Sequence, residues 1–202
     1  MRYYMLNKPY GSVSARSDSK YPTVMDCFPP EDRNVLFPVG RLDVDTTGLM
    51  IVTDDGWLCH CLTYPGFKVV KEYFFMAFGT ISPEHREKIH RGITLPGNGL
   101  KAAPAELHIH RVSTVLDCAE YLPAHIRESA LRNPTGPVTV GSICVTEGRK
   151  HEVKLLIKSA GCHVFMLRRE RLGGLYLDPN LPQGNYRELS EAEVKALLDA
   201  DK

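Results

Sequence analysis

The sequence predicts an α+β fold, and three observations predict it. Short β-branched and aromatic runs recur along the chain, helical patterns fall between them without strict strand-helix alternation, and no unit of roughly 20 to 50 residues repeats. At 202 residues, with 43% hydrophobic and 24% charged, the chain can bury about 70% of the surface its unfolded form exposes. Glycine and proline are spread along it rather than gathered in a tract, which excludes a fibrous or disordered protein.

Residues 2–6 read as a short strand ended by the turn residues Asn7-Lys8-Pro9-Tyr10-Gly11. Residues 35–53 carry two apolar stretches around the polar insert Gly40–Gly48, a loop held between buried segments. Leu49–Val52, followed by Asp54-Asp55-Gly56, reads as a strand leading to a helix from about Trp57 to Leu62. Val69–Phe78 is the best strand in the sequence because it is rich in β-branched and aromatic residues. Ser82-Pro83-Glu84 supplies an N-cap, a proline at the first helical position and an acid in the first turn, so a helix runs to about Arg91 and stops at Gly92. Strands follow near 105–112 and 138–146, and Asp117–Pro137 is an excursion from the sheet with a short helix at His125–Arg132. Arg149–Ala160 has apolar residues at 153, 156, 157 and 160, one buried helical face ending at Gly161, with Lys150, Lys154 and Lys158 on another side. A strand through Val164–Leu167 leads into Arg168-Arg169-Glu170-Arg171, and Ser190-Glu191-Ala192-Glu193 opens a final helix with a capping box.

No apolar run approaches the roughly 18 to 20 residues needed to cross a bilayer, and no secretory core forms before Asn7-Lys8-Pro9, so a cytoplasmic protein with no membrane partner is expected. The six cysteines show no CxxC pair and read as reduced, mostly buried thiols; Cys59-His60-Cys61 is too short a pattern to indicate a metal site. The net charge of +1 points to no polyanionic partner. Its distribution does: Glu147–Arg171 carries seven basic and three acidic residues, a basic region on an otherwise slightly acidic chain.

The insert Gly40–Gly48 is where chemistry is expected, because polar side chains stand between two core segments. A solvated turn with side-chain-to-backbone hydrogen bonds is the plain alternative. Asp43-Val44-Asp45-Thr46-Thr47 also fits the D-x-D-x-T pattern of Mg-dependent phosphatases, but Pro38, Gly40 and Arg41 interrupt the strand that such a fold needs before the motif.

A longer series of motifs covers residues 2 to 190. Leu6-Asn7-Lys8-Pro9-Tyr10-Gly11, Gly40-Arg41-Leu42-Asp43 through Leu49, Thr53-Asp54-Asp55-Gly56, Lys71-Glu72-Tyr73, Glu147-Gly148-Arg149-Lys150-His151-Glu152-Val153-Lys154 and Leu167–Gly173 resemble, in order, the motifs of the RsuA-type rRNA pseudouridine synthases. The resemblance implies isomerisation of uridine to pseudouridine in RNA without metal, ATP or redox cofactor. It implies a mixed, mostly antiparallel sheet with flanking helices and a central RNA-binding cleft, in two subdomains of roughly 1–65 plus the C-terminal tail and 66–175. By resemblance, Asp43 is the catalytic aspartate, Tyr73 lies against the target base, and Lys154 pairs with the aspartate. Leu172 matches the apolar residue beneath the site. Arg41 is the candidate to brace the stack that a turned-out nucleotide vacates, and Arg149, Lys150, Lys158, Arg168, Arg169 and Arg171 are candidates for phosphate. The L-N-K-P motif starts at residue 6, without the S4-type domain that many members carry before it, and on that ground the resemblance to the S4-lacking RluE-like branch, acting on 23S rRNA as a monomer, is the expectation. A non-catalytic RNA-binding module shares the basic segment but has no need of Asp43.

Overall fold

The computed structural model describes residues 1–95, 99 and 101–198. In chain order its strands are β1 (Tyr3–Lys8), β2 (Phe37–Pro38), β3 (Thr46–Thr53), β4 (Lys71–Phe78), β5 (Glu106–Thr114), β6 (Pro137–Val145), β7 (His163–Leu172), β8 (Leu175–Tyr176) and β9 (Tyr186–Glu188). The helices are α1 (Pro30–Arg33), α2 (Gly56–Thr63), α3 (Pro83–Arg91), α4 (Ala124–Ala130), α5 (Glu152–Ser159) and α6 (Glu191–Leu198). The fold is α+β, as the sequence predicts, and it divides into two compact units: Met1–Lys71 with the chain from Arg168 on, and Glu72–Leu167.

In the first unit the strand order is β7-β3-β1-β9, with β2 also on β3 and β8 on β7. β1 and β3 are antiparallel, with Lys8 opposite Gly48 and Asn7 opposite Leu49. Every residue of β3 is buried, which explains its unbroken Leu49–Val52 run: a central strand covered on both faces needs no polar alternation. Met5, Leu49, Ile51, Leu58, Leu62 and Leu172 belong to one apolar core there. At Gly48 (φ +100°) the fit is too tight for any side chain, since a Cβ would stand 2.3 Å from the Arg169 carbonyl oxygen.

The second unit carries β5-β6-β4 and the His163–Leu167 half of β7. β5 and β6 are antiparallel with an irregularity between Ile109 and Arg111. The 117–137 excursion is no appendage, because Cys118 and Leu122 are buried in a core with Met76, Val138 and Val140, and Ile126 and Leu131 pack against it.

Several boundaries differ from the sequence reading. The polar insert ends earlier, since Thr46, Thr47 and Gly48 already belong to β3 and are buried. Helix α5 begins at Glu152 rather than at 149, because His151 takes a left-handed backbone (φ +57°) that no helix can include. β7 runs straight through the basic run instead of ending at Leu167. The 3-10 turn Val24–Cys27, capped reciprocally by Thr23 and Asp26, is absent from the sequence reading because four residues are too few for a periodic pattern to declare. All six cysteines are free thiols, and Cys61, Cys118 and Cys162 are buried. No helix among the described residues is long and apolar enough to cross a membrane.

Candidate active site

Asp43 stands in the loop Gly40–Asp45, directly before β3, and the loop is held from below by β1 and the turn after it. Gly40 enters it with φ +73°, a conformation that suits glycine. The Ser14 hydroxyl accepts from Leu42 N at 3.0 Å and donates to Leu42 O at 2.9 Å, so one side chain satisfies both backbone groups of the residue before Asp43. Gly11 N donates to Val44 O at 2.8 Å, and Thr46 N to Asp43 O at 3.1 Å. Leu42 is buried, Arg41 and Val44 are exposed, and Asp43 lies half-buried between them.

Beneath the loop lies Lys8, which the sequence presents as a turn residue and a member of the first motif. It is fully buried, and its ammonium donates to the carbonyls of Thr46 at 2.9 Å, Pro9 at 3.2 Å and Val44 at 3.5 Å. Burying an ammonium is tolerable only when acceptors replace its water, and here two of those acceptors, Val44 and Thr46, belong to the segment that follows Asp43.

The same unit contains Arg41, Arg168, Arg171 and Leu172. Arg168 is half-exposed and hydrogen-bonded to Glu170, and the Arg171 guanidinium lies 5.5 Å from the Tyr176 ring centre. One expectation is corrected. Arg169 is 3% exposed and donates from Nε to Leu49 O at 2.7 Å, so it ties β7 to β3 and offers nothing to phosphate. Leu172, matched by resemblance to the apolar residue beneath the site, is 2% exposed and packs within the core.

The second unit contains Tyr73, Lys154, Arg149 and Lys150. Tyr73 is buried on β4, and Lys154 is half-buried on α5. Arg149 and Lys150 are exposed on the turn before α5, with Arg149 Nη2 on Glu147 Oε1 at 2.8 Å. Lys158 is exposed near the end of that helix. A carboxyl pair there was not foreseen. Glu152 is buried, and burial together with its hydrogen bond to Glu147 pushes its pKa up to about 7. In Glu147 burial opposes the charge, but hydrogen bonds from Ala103 N, Glu152 and Arg149 outweigh it and hold that carboxyl below its usual range. Of the two carboxyls, Glu152 is therefore the one that keeps a proton to higher pH. Its sequence signal was the i, i+4 spacing of Glu152 with Leu156, on the face already read as buried.

A carboxylate presented on a preorganised loop can stabilise an electron-deficient carbon or add to it. The D-x-D-x-T phosphatase pattern needs a full strand before its motif, whereas here only the two-residue β2 precedes the loop.

Comparison with known proteins agrees with the motif series. The family model described as RNA pseudouridylate synthase matches residues 2–159. The uncharacterized RNA pseudouridine synthase YtzG of Bacillus subtilis is 37% identical over 196 residues, covering 96% of this chain and 72% of the relative. Ribosomal small subunit pseudouridine synthase A of Escherichia coli K12 is 32% identical over 197 residues, with 98% and 74% covered. The same-named protein of Pseudomonas aeruginosa is 35% identical over 193 residues, with 96% and 73% covered. Among solved structures, a pseudouridylate synthase crystal structure superposes with a TM-score of 0.79 at 31% identity, over 97% of this chain and 73% of that one. The archaeal box H/ACA Nop10-Cbf5 complex, at 16% identity and a TM-score of 0.56, shares the fold. From the motif order, the α+β fold and these matches together, the chain belongs to the RNA pseudouridylate synthase family, enzymes that isomerise uridine within RNA.

Proposed function

We propose that this protein converts a uridine of ribosomal RNA to pseudouridine, with Asp43 as the catalytic residue. The observation that carries the reading is the loop itself: a half-buried aspartate whose neighbours on both sides are fixed by Ser14, Gly11 and the buried Lys8 ammonium. Such rigidity suits a group that must meet a sugar carbon in one geometry.

In the reaction the N1–C1′ bond breaks and a C5–C1′ bond forms, while C5 loses a proton and N1 gains one. The change is redox-neutral, so the chain's own residues suffice for its proton and charge balance. Asp43 supplies negative charge where the glycosidic bond breaks. Tyr73 is the proposed partner for the base and for proton transfer, and Lys154 the cation that keeps the aspartate ionised against the cost of burial. Both assignments rest on the motif resemblance. The reacting atoms are hidden in a stacked helix, so the nucleotide is turned out; Arg41, exposed two residues before Asp43, fills the vacated place. Arg149, Lys150, Arg168 and Arg171 take phosphates.

The names of the Escherichia coli and Pseudomonas aeruginosa relatives favour the small ribosomal subunit. The large-subunit expectation drew only on the position of the first motif, which carries no weight here. Mapping pseudouridine by reverse-transcription stops in both ribosomal RNAs, treated in vitro with the purified protein, tests the proposal and separates the subunits. A new site in small-subunit RNA supports it, and no new site in either RNA contradicts it.

A further inference from the structure

Helix α2 buries Leu58, Cys61 and Leu62 on its inner face. Its outer face is aromatic where a solvated helix is ordinarily polar. Trp57, His60 and Tyr64 follow the i, i+3, i+7 spacing of one helical stripe, and Trp57 is 65% exposed and Tyr64 54%. The 3-10 turn Pro65–Phe67 then folds Phe67, 52% exposed, back onto the stripe. The His60 and Tyr64 rings are stacked with centroids 5.1 Å apart and planes at 28°. Phe67 stands edge-on to both, at 6.0 and 5.7 Å. Gly66 makes this possible, since a Cβ there would lie 2.5 Å from Tyr64 Cε1.

Scattered exposed aromatics need no explanation, but a contiguous set arranged by a turn does. Two features identify the occupant. The patch abuts the loop that carries Asp43, because a Cβ on Gly40 would touch Thr63 Cγ2 at 3.4 Å. It also ends in a cation: Lys68 is exposed immediately after Phe67, and the stretch Thr63–Lys68 has no aliphatic side chain of the kind a protein interface core would bury. Flat rings beside a cation suit unstacked nucleobases joined by phosphates.

The geometry points to this surface as a stacking platform for single-stranded nucleotides of the RNA substrate that flank the turned-out uridine. The inference rests on the proposed action on RNA. Extruding one nucleotide unstacks its neighbours, and the platform gives those bases new faces beside the loop where the reaction occurs.

Trp57 is the chain's single tryptophan, so the platform carries its own reporter. Titrating the full-length protein with a short single-stranded oligouridylate quenches Trp57 emission, whereas inorganic polyphosphate, which has charge but no bases, leaves it unchanged. Tyr64→Ala and Phe67→Ala weaken oligouridylate binding about fivefold to a hundredfold, and Tyr64→Phe restores it. Unchanged affinity in both alanine variants, with circular dichroism matching wild type, overturns the platform. So does an emission that ignores RNA but depends on protein concentration, which marks a protein-protein face. If the wild type makes no pseudouridine in ribosomal RNA yet its emission is quenched, the function proposed above fails while the platform stands.

Discussion

The Lys8 ammonium donates to the Thr46 carbonyl at 2.9 Å, fastening the start of β3 to the end of β1 immediately beneath the loop that carries Asp43. This cation is buried, so its removal takes a donor from the buried Thr46 carbonyl, whereas the Pro9 carbonyl keeps the Ser12 hydroxyl at 3.0 Å. Lys8→Met should therefore cost about 1–3 kcal/mol, a fall in Tm of roughly 2–4 °C per kcal/mol for a chain of this size. Differential scanning fluorimetry checks the stability, and a pseudouridine assay below the new Tm should show activity lost as well. Full activity in the folded variant contradicts a positioning role.

Gly48 is a second fixed point. Gly48→Ala meets both a positive φ and the Arg169 carbonyl oxygen at 2.3 Å, whereas Gly11→Ala meets only a positive φ, with open space around it. Chemical denaturation should show a loss of several kcal/mol, about 3 or more, for the first and about 1 for the second. Equal losses refute the close approach of β3 and β7.

The Glu147–Glu152 pair gives a pH signature with an unusual sign. Between its ordinary value of 4.5 and about 7 Glu152 binds more proton in the folded chain than in the unfolded one. Its contribution is complete below 4.5 and is lost as pH rises through about 7. Glu152→Gln, neutral at every pH, should have the higher urea midpoint at pH 8 and lose that advantage toward pH 5. Parallel pH profiles for the two proteins contradict the upward shift at Glu152.

Arg187 has the ordinary sign. It donates to Glu193 at 2.7 and 3.1 Å and to Asp178 at 2.8 Å, and its guanidinium holds Glu193 down at about 2. That stability is present above 4.5 and is lost as pH falls through about 2. Arg187→Leu should cost about 1–2 kcal/mol at neutral pH, after allowance for solvent screening, with the gap to wild type narrowing in acid. A gap that stays constant down to pH 2 assigns the loss to packing instead.

Much of this was legible in the sequence. Ser82 caps α3 by accepting from His85 N, Gly92 ends it at φ +85°, and Ser190 with Glu193 caps α6, because capping is local chemistry that a few residues declare. The loop around Asp43 was legible from its motif. Lys8 and Arg169 were not, since a charged residue reads as exposed until its acceptors are known, and those acceptors lie far along the chain: Thr46 for Lys8 and Leu49 for Arg169. Leu172, matched to the apolar position beneath the site, has a side chain that belongs to the core.

The most direct test compares wild type with Asp43→Asn on ribosomal RNA, measuring pseudouridine formation under single-turnover conditions and the Tm of both proteins. Removing the charge while keeping the shape should lower the rate at least about a thousandfold with little change in Tm. A variant that forms pseudouridine at the wild-type rate would show that the loop carboxylate is not the catalytic group.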